Sequence, residues 1–432
     1  MAKCVRTTPK TKKKNIKRRF GSTKSNFFGD HERCNMKLSE YIEKNLPLSI
    51  RYHPQDSETL YGLPYPYLIP SVKGMFQEMY YWDTYFAHRG LLLSGQLQTV
   101  LDNIENFIYL IDTYGLIPNA SKKSMLNRSQ PPFFGMMVRD VYARTGDKAW
   151  FARCVAALEK EYLFWNTHRK SENGLNHYSS DASEAQFLRA VNLYGERTGV
   201  LHTDNALYWG RNILAEAESG WDFCARFGGK CHEYNAVDLN ALLWFDEKLL
   251  AFAARELGTG DEALWEQKAT ERYEKMTNLM RGEDGIYYDY SYVECKRSAV
   301  RSAASFFPCF VGMCNADAGM NVLLEVLELP FGVQAAEPVV GTSFQWGDKN
   351  GWPCLQLIAV EALLNCGRFG DATRIAKKFV GAVEQTFKQT GKLFEKYNVQ
   401  KGNSDAVSEY GTPEMMGWTA GVYLALKEKL PN

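Results

Sequence analysis

Between Leu97 and Tyr114 the apolar residues Leu97, Val100, Leu101, Ile104, Phe107, Ile108 and Ile111 recur at steps of three and four, the spacing that puts them on one face of a helix. The same period predicts helices over residues 136–145, 150–165, 206–223, 239–257, 262–280, 316–327, 354–366, 372–386 and 414–430. Strand-like alternation is confined to short pieces, chiefly GIYYDYSYVE at 285–294. About a dozen helices without a Pro/Ser-rich linker between them predict one all-α domain over residues 36–432, with few short strands in its loops.

Charge adds a boundary. Residues 1–25 hold ten Lys or Arg and no acid, which leaves 41 basic against 50 acidic residues, a net of −9, on the other 407. A basic stretch without hydrophobic periodicity reads as a disordered leader over residues 1–35, and no nucleic-acid partner is expected from it. There is no run of 18 apolar residues and no apolar h-region behind the basic start, so the expectation is a cytoplasmic protein with no membrane partner. The ten cysteines are scattered without CxxC pairs, which predicts mostly buried thiols and no metal site. The oligomeric state is not legible in the chain.

The loops carry the chemistry. They are rich in Trp, Gly, Pro, Asn and Gln, as in LPYPYLIPS, NRSQPPFF, ESGWDF and FQWGDKNGWP. A sugar site needs aromatic faces for pyranose rings, amides and guanidinium groups for hydroxyls, and paired carboxylates to cut a glycosidic bond. Asp83 follows Tyr80, Tyr81 and Trp82, Asp222 follows Gly220 and Trp221, Glu395 begins EKY, and Glu409 sits in SEYG. Each acid alone reads as a helix cap or a surface charge, and it is the four together, beside aromatic or Gly-rich turns, that point to a site.

Six segments in order resemble the trehalases of glycoside hydrolase family 37: GMFQEMYYWDTY at 74–85, IPNASKKSMLNRSQPPFF at 117–134, ESGWDF at 218–223, QWGDKNGW at 345–352, FEKYNV at 394–399 and EYGTPEMMGWTAGV at 409–422. The resemblance implies an (α/α)6 barrel, in agreement with the helix count, and inverting hydrolysis of the α-glucosidic bond of α,α-trehalose. It assigns the general acid to Asp222 and the general base to Glu395. It implies substrate contacts at Phe76, Trp82, Asp83, Asn119, Arg128, Ser129, Gln130, Gly220, Gln345, Trp346 and Glu409. Protonation and water activation supply that chemistry, so no metal or organic cofactor is implied, and the partner is a small α-glucoside.

The chain also departs from that pattern. Met75 stands where the family has the Arg of GGRF, and Gly347 replaces the Asp of QWD, with Asp348 one place later. An Arg-Pro-Glu triplet has a loose counterpart in Tyr194-Gly195-Glu196-Arg197, which adds Glu196 and Arg197 as expected substrate contacts. A lost bidentate arginine weakens or redirects sugar binding. Two other readings therefore stay open, an α-glycosidase for another small α-glucoside such as a glucosylglycerate, and a catalytically inactive sugar-binding protein.

Overall fold

The structure is a computed structural model and describes residues 36–313, 319–341 and 344–431. The expected basic leader at 1–35 lies outside the described residues, as do Cys4, Cys34 and Cys314. Fourteen helices are described: α1 (Leu38–Asn45), α2 (Tyr81–Leu93), α3 (Leu97–Tyr114), α4 (Phe134–Thr145), α5 (Lys148–His168), α6 (Glu184–Thr198), α7 (Ala206–Ser219), α8 (Val237–Leu257), α9 (Glu262–Met280), α10 (Phe307–Phe310), α11 (Met320–Leu327), α12 (Pro353–Asn365), α13 (Phe369–Thr390) and α14 (Gly417–Glu428).

Six of them, α2, α4, α8, α10, α12 and α14, each touch the next, and α14 returns to α2 to close a ring. Helices α3, α5, α9 and α13 pack against its outside, which makes the (α/α)6 barrel. The physical division is clear from burial. Inner helices such as α2 and α12 are buried along most of their length because protein surrounds them, whereas α3 and α13 keep one polar face toward water. The closing contact between α2 and α14 is a backbone one. A Cβ on Gly90 would stand 2.6 Å from the Gly421 Cα, so glycine at both positions sets the helix spacing.

The periodic segments became helices with small shifts. The helix expected over 206–223 ends at Ser219, because Gly220 takes a left-handed conformation (φ 75°) and releases the next residues into a loop. Residues 316–318 of another expected helix lie outside the described residues, and α11 starts at Met320. Helix α2 had no periodic signal, since its polar residues Asp83, Thr84, His88 and Arg89 are scattered round it and form no stripe. Within 285–294 only Tyr290–Ser291 is strand, the middle of a three-stranded sheet whose partners are Tyr234–Asn235 and Lys296–Arg297. Among the described residues no helix is long and apolar enough to cross a membrane.

Helices α6 and α7 form a hairpin packed on itself and outside the inner ring. It has its own apolar cluster of Phe187, Ala190, Val191, Ile213, Leu214 and Phe223. A capping box, with Ser183 and Gln186 satisfying each other's backbone N–H, starts α6. The C-terminus of α7 delivers Gly220, Trp221 and Asp222 to one end of the barrel.

Candidate active site

A cavity of about 470 Å³ lies where the α6–α7 hairpin faces the loops at that end of the barrel. Its deep wall is a cluster of indoles. Trp346 and Trp352 stack with centroids 3.8 Å apart, Trp82 lies 5.7 Å from Trp346, and Trp418 packs edge-on at 5.6 Å from Trp352. Gly220 is required here for two reasons. It needs its left-handed φ, and a Cβ would come within 2.8 Å of the Trp82 ring.

Glu395 enters from the loop after α13 and is buried. Its Oε2 accepts from Lys396 Nζ at 2.6 Å and its Oε1 from the Tyr410 hydroxyl at 2.9 Å. Burial pushes its carboxyl up and Lys396 pulls it down, with the first effect larger. Lys396 is itself fully buried and lies over the rings of Trp352 and Tyr410, 4.7 Å from each centroid. Asp222, three-tenths exposed, accepts from Arg197 Nη1 on Oδ2 at 3.2 Å, and its backbone carbonyl accepts from Gln345 Nε2 at 2.6 Å. Gln345 in turn accepts from Lys396 at 3.3 Å, so a continuous hydrogen-bonded chain joins the two acids' loops.

Asp83, in the first turn of α2, faces both of these carboxylates. Burial, then the charges of Glu395 and Asp222, push it up to about 7. Arg197 bridges Asp222 and Glu409, at 2.8 Å from the latter. Burial and the nearby Asp222 still raise Glu409 to about 7, against the pull of Arg197.

The structure brings Phe76, Trp82, Asp83, Asn119, Arg128, Gln130, Arg197, Gly220, Asp222, Trp346 and Glu395 to the cavity wall. Four expected contacts stand elsewhere. The Ser129 hydroxyl donates to the Ile117 carbonyl at 2.7 Å, and its N–H donates to Glu218, which also accepts from Ser179 and Arg169. Ser129 is thus part of a buried knot that ties three loops together. Gln345 is 1% exposed and spent on Asp222, Lys396 and Asn350. Glu409 acts on Arg197 from behind. Glu196 is exposed and off the cavity, because the helical turn of α6 gives the cavity to Ala190, Leu193, Tyr194 and Arg197 at i, i+3, i+4 and i+7. Asn119 and Gln130 divide their work. The Asn119 amide holds the Ser129 and Ala217 carbonyls, and Gln130 accepts from the Trp82 N–H.

Sequence reading missed Tyr410 as a partner of Glu395, although it sits in a recognised segment, and it missed the cavity-facing side of α6. Asp348 is paired with the neighbouring Lys349 at 3.2 Å and is not on the cavity wall, so it does not replace the acid lost at Gly347.

An α-toroid with paired carboxylates in an indole-walled cavity defines a glycoside hydrolase. The chain belongs to the trehalase family, which it matches over residues 3–430. It is 35% identical over 428 residues to a periplasmic trehalase of Pseudomonas aeruginosa, covering 90% of this chain and 76% of that protein. It is 32% identical over 436 residues to a periplasmic trehalase of Xanthomonas campestris, covering 93% and 75%. The solved neutral trehalase of Saccharomyces cerevisiae superposes with a TM-score of 0.73 at 25% identity, over 92% of this chain and 80% of that one. These bacterial relatives overturn the cytoplasmic expectation, since they are periplasmic proteins. That expectation rested on a missing leader pattern, and a missing pattern carries no information about compartment.

Proposed function

We propose that the protein hydrolyses α,α-trehalose with inversion, in the periplasmic setting of its bacterial relatives, with Asp222 as general acid and Glu395 as general base. The observation that supports this reading is two carboxylates on one indole-walled cavity, each held by a cation through a single oxygen. Glu395 is held by a cation and a phenol, which stabilise its charged form and aim it. Asp222 accepts from Arg197 on Oδ2, leaving Oδ1 to present a proton to the glycosidic oxygen. In the inverting reaction Glu395 takes a proton from water as the water oxygen bonds to C1. The C1–O bond breaks on the opposite face, and Asp222 delivers its proton to the departing oxygen. The indole wall covers the apolar face of the bound pyranose.

Inversion has a direct signature. Each trehalose yields one β-glucose, from the ring attacked by water, and one α-glucose, from the ring that leaves. Proton NMR of the first minutes of turnover is expected to show both anomers in equal amounts, and α-glucose alone would contradict the assignment.

Lys396→Met tests how Glu395 is kept ionised. Removing a cation 2.6 Å from Oε2 raises the carboxyl further, and a protonated base is inactive. The acidic limb of the kcat/KM profile therefore moves to higher pH. An unmoved limb, with the fold intact by circular dichroism, would assign Lys396 to packing alone.

A further inference from the structure

Away from the cavity, the interior between α5 and α8 holds more carboxyl groups than cations. Glu161 on α5 and Asp246 and Glu247 on α8 are each 1% exposed. The guanidinium beside them, Arg272 of α9, is spent. Its Nε donates to Glu247 at 2.9 Å and its Nη1 to the side-chain carbonyls of Asn176 and Asn240 at 2.8 and 2.9 Å. Glu247 also accepts from the Tyr162 hydroxyl at 2.7 Å, and Glu161 Oε1 from the Tyr81 hydroxyl at 2.6 Å. Asp246 has no hydrogen-bond partner on either oxygen, and Glu161 Oε2 has none either. Asp246 is pressed against α4, where a Cβ on Gly135 would stand 2.2 Å from its Oδ1.

An ionised carboxylate without a donor is among the most costly groups a fold can bury, and a second one beside it adds repulsion. The other elements packed on α8 bring no relief. Arg139 of α4 is turned onto Asp140 and the Phe245 ring, and the segment Ala303–Phe310 carries no charged residue. Among the described residues no group of three His, Cys, Asp or Glu is arranged to hold a metal ion. A bound proton is the remaining way to neutralise the excess. In accord with this, burial and then the charges of Glu161 and Glu247 push Asp246 well above the carboxylate range against the pull of Arg272, and burial pushes Glu161 up to about 8.

The pair also touches the site indirectly. The Tyr81 hydroxyl that donates to Glu161 accepts from the Phe134 N–H at 2.9 Å, so it ties α2, α4 and α5 together, and the next two residues of α2, Trp82 and Asp83, line the cavity. We infer that Asp246 and Glu161 hold a buried proton through neutral pH and act as a pH-sensitive fastener of the barrel, which secures the Trp82–Asp83 wall while protonated and loosens it as the proton leaves. Both carboxyls bind their protons more tightly in the folded than in the unfolded chain. Their contribution to stability is therefore complete below about pH 4 and is lost as pH rises toward the raised folded values.

The test compares the full-length protein with Asp246→Asn. The infrared difference spectrum at neutral pH is expected to show the carbonyl stretch of one protonated carboxyl that the variant lacks. In urea unfolding between about pH 5 and pH 8, the folded-to-unfolded ratio of the parent is expected to fall about tenfold more per pH unit than that of the variant, the linkage of one proton. The variant is also expected to keep its turnover of trehalose at neutral pH and to lose it more slowly than the parent during incubation at alkaline pH. Should Asp246→Asn not fold, Asp246→Ala removes the carboxyl without crowding Gly135 and takes the same readings. A missing carboxyl band, or parallel slopes of stability against pH, would overturn the proton-holding pair and leave the assignment of Asp222 and Glu395 untouched.

Discussion

Asp222→Asn is expected to lower kcat/KM on trehalose by about 10²–10⁴, the usual worth of a positioned general acid. The amide keeps the shape of the side chain, and its oxygen still accepts from Arg197, so the loss reports the missing proton and not a collapsed loop. The acid is three-tenths exposed, and the melting temperature is expected to stay within a few degrees. The decisive comparison uses α-glucosyl fluoride, whose leaving group departs without protonation. On that substrate the Asp222→Asn variant retains most of its activity, whereas Glu395→Gln remains inactive because water still needs a base. Equal losses of both variants on both substrates would reverse or void the assignment.

The largest expected effect on stability is at Arg226. Its guanidinium is fully buried and donates to Asp289 at 2.8 and 3.0 Å and to Asp238 at 3.0 and 3.1 Å, while lying 4.4 Å from the Trp221 ring centroid. Arg226→Met leaves two carboxylates in the interior without their cation, a loss of about 3–5 kcal/mol read from chemical denaturation. Burial already raises the Asp289 carboxyl above its ordinary range, against the pull of Arg226, and removing the arginine raises it further. An acid whose pKa is higher folded than unfolded binds its proton more tightly in the folded state. The variant therefore recovers part of its stability as pH falls through that raised value. Adding Asp238→Asn to Arg226→Met is expected to restore some of the loss at neutral pH, because one of the stranded charges is gone. A single variant as stable as the parent would mean that the buried triad contributes nothing net. Trp221 precedes Asp222, so the same substitution is also expected to lower activity.

Helices α3 and α13 were visible because water on one face forces a polar stripe, whereas α2 scatters Asp83, Thr84, His88 and Arg89 round its circumference and shows no stripe. Asp222 and Glu395 were singled out through the short segments that contain them, which are local in the chain, and the structure brings both to one cavity. Glu196 was misplaced for a related reason. Reading Tyr194-Gly195-Glu196-Arg197 as a linear motif ignores the 100° turn between helical neighbours, which sends Arg197 to the cavity and Glu196 to solvent.

By itself the sequence determined the all-α class and the positions of ten of the fourteen described helices, and it marked the segments that carry Asp222 and Glu395. These depend on periodicity and on residues close together in the chain. What the tertiary structure decided is how those acids are dressed: Lys396 and Tyr410 on Glu395, Arg197 between Asp222 and Glu409, and Gln345 linking the two loops. Except for Lys396, each of those contacts joins residues at least 12 positions apart. Their meeting depends on how a ring of helices closes and on where the α6–α7 hairpin leans, and no local pattern encodes either.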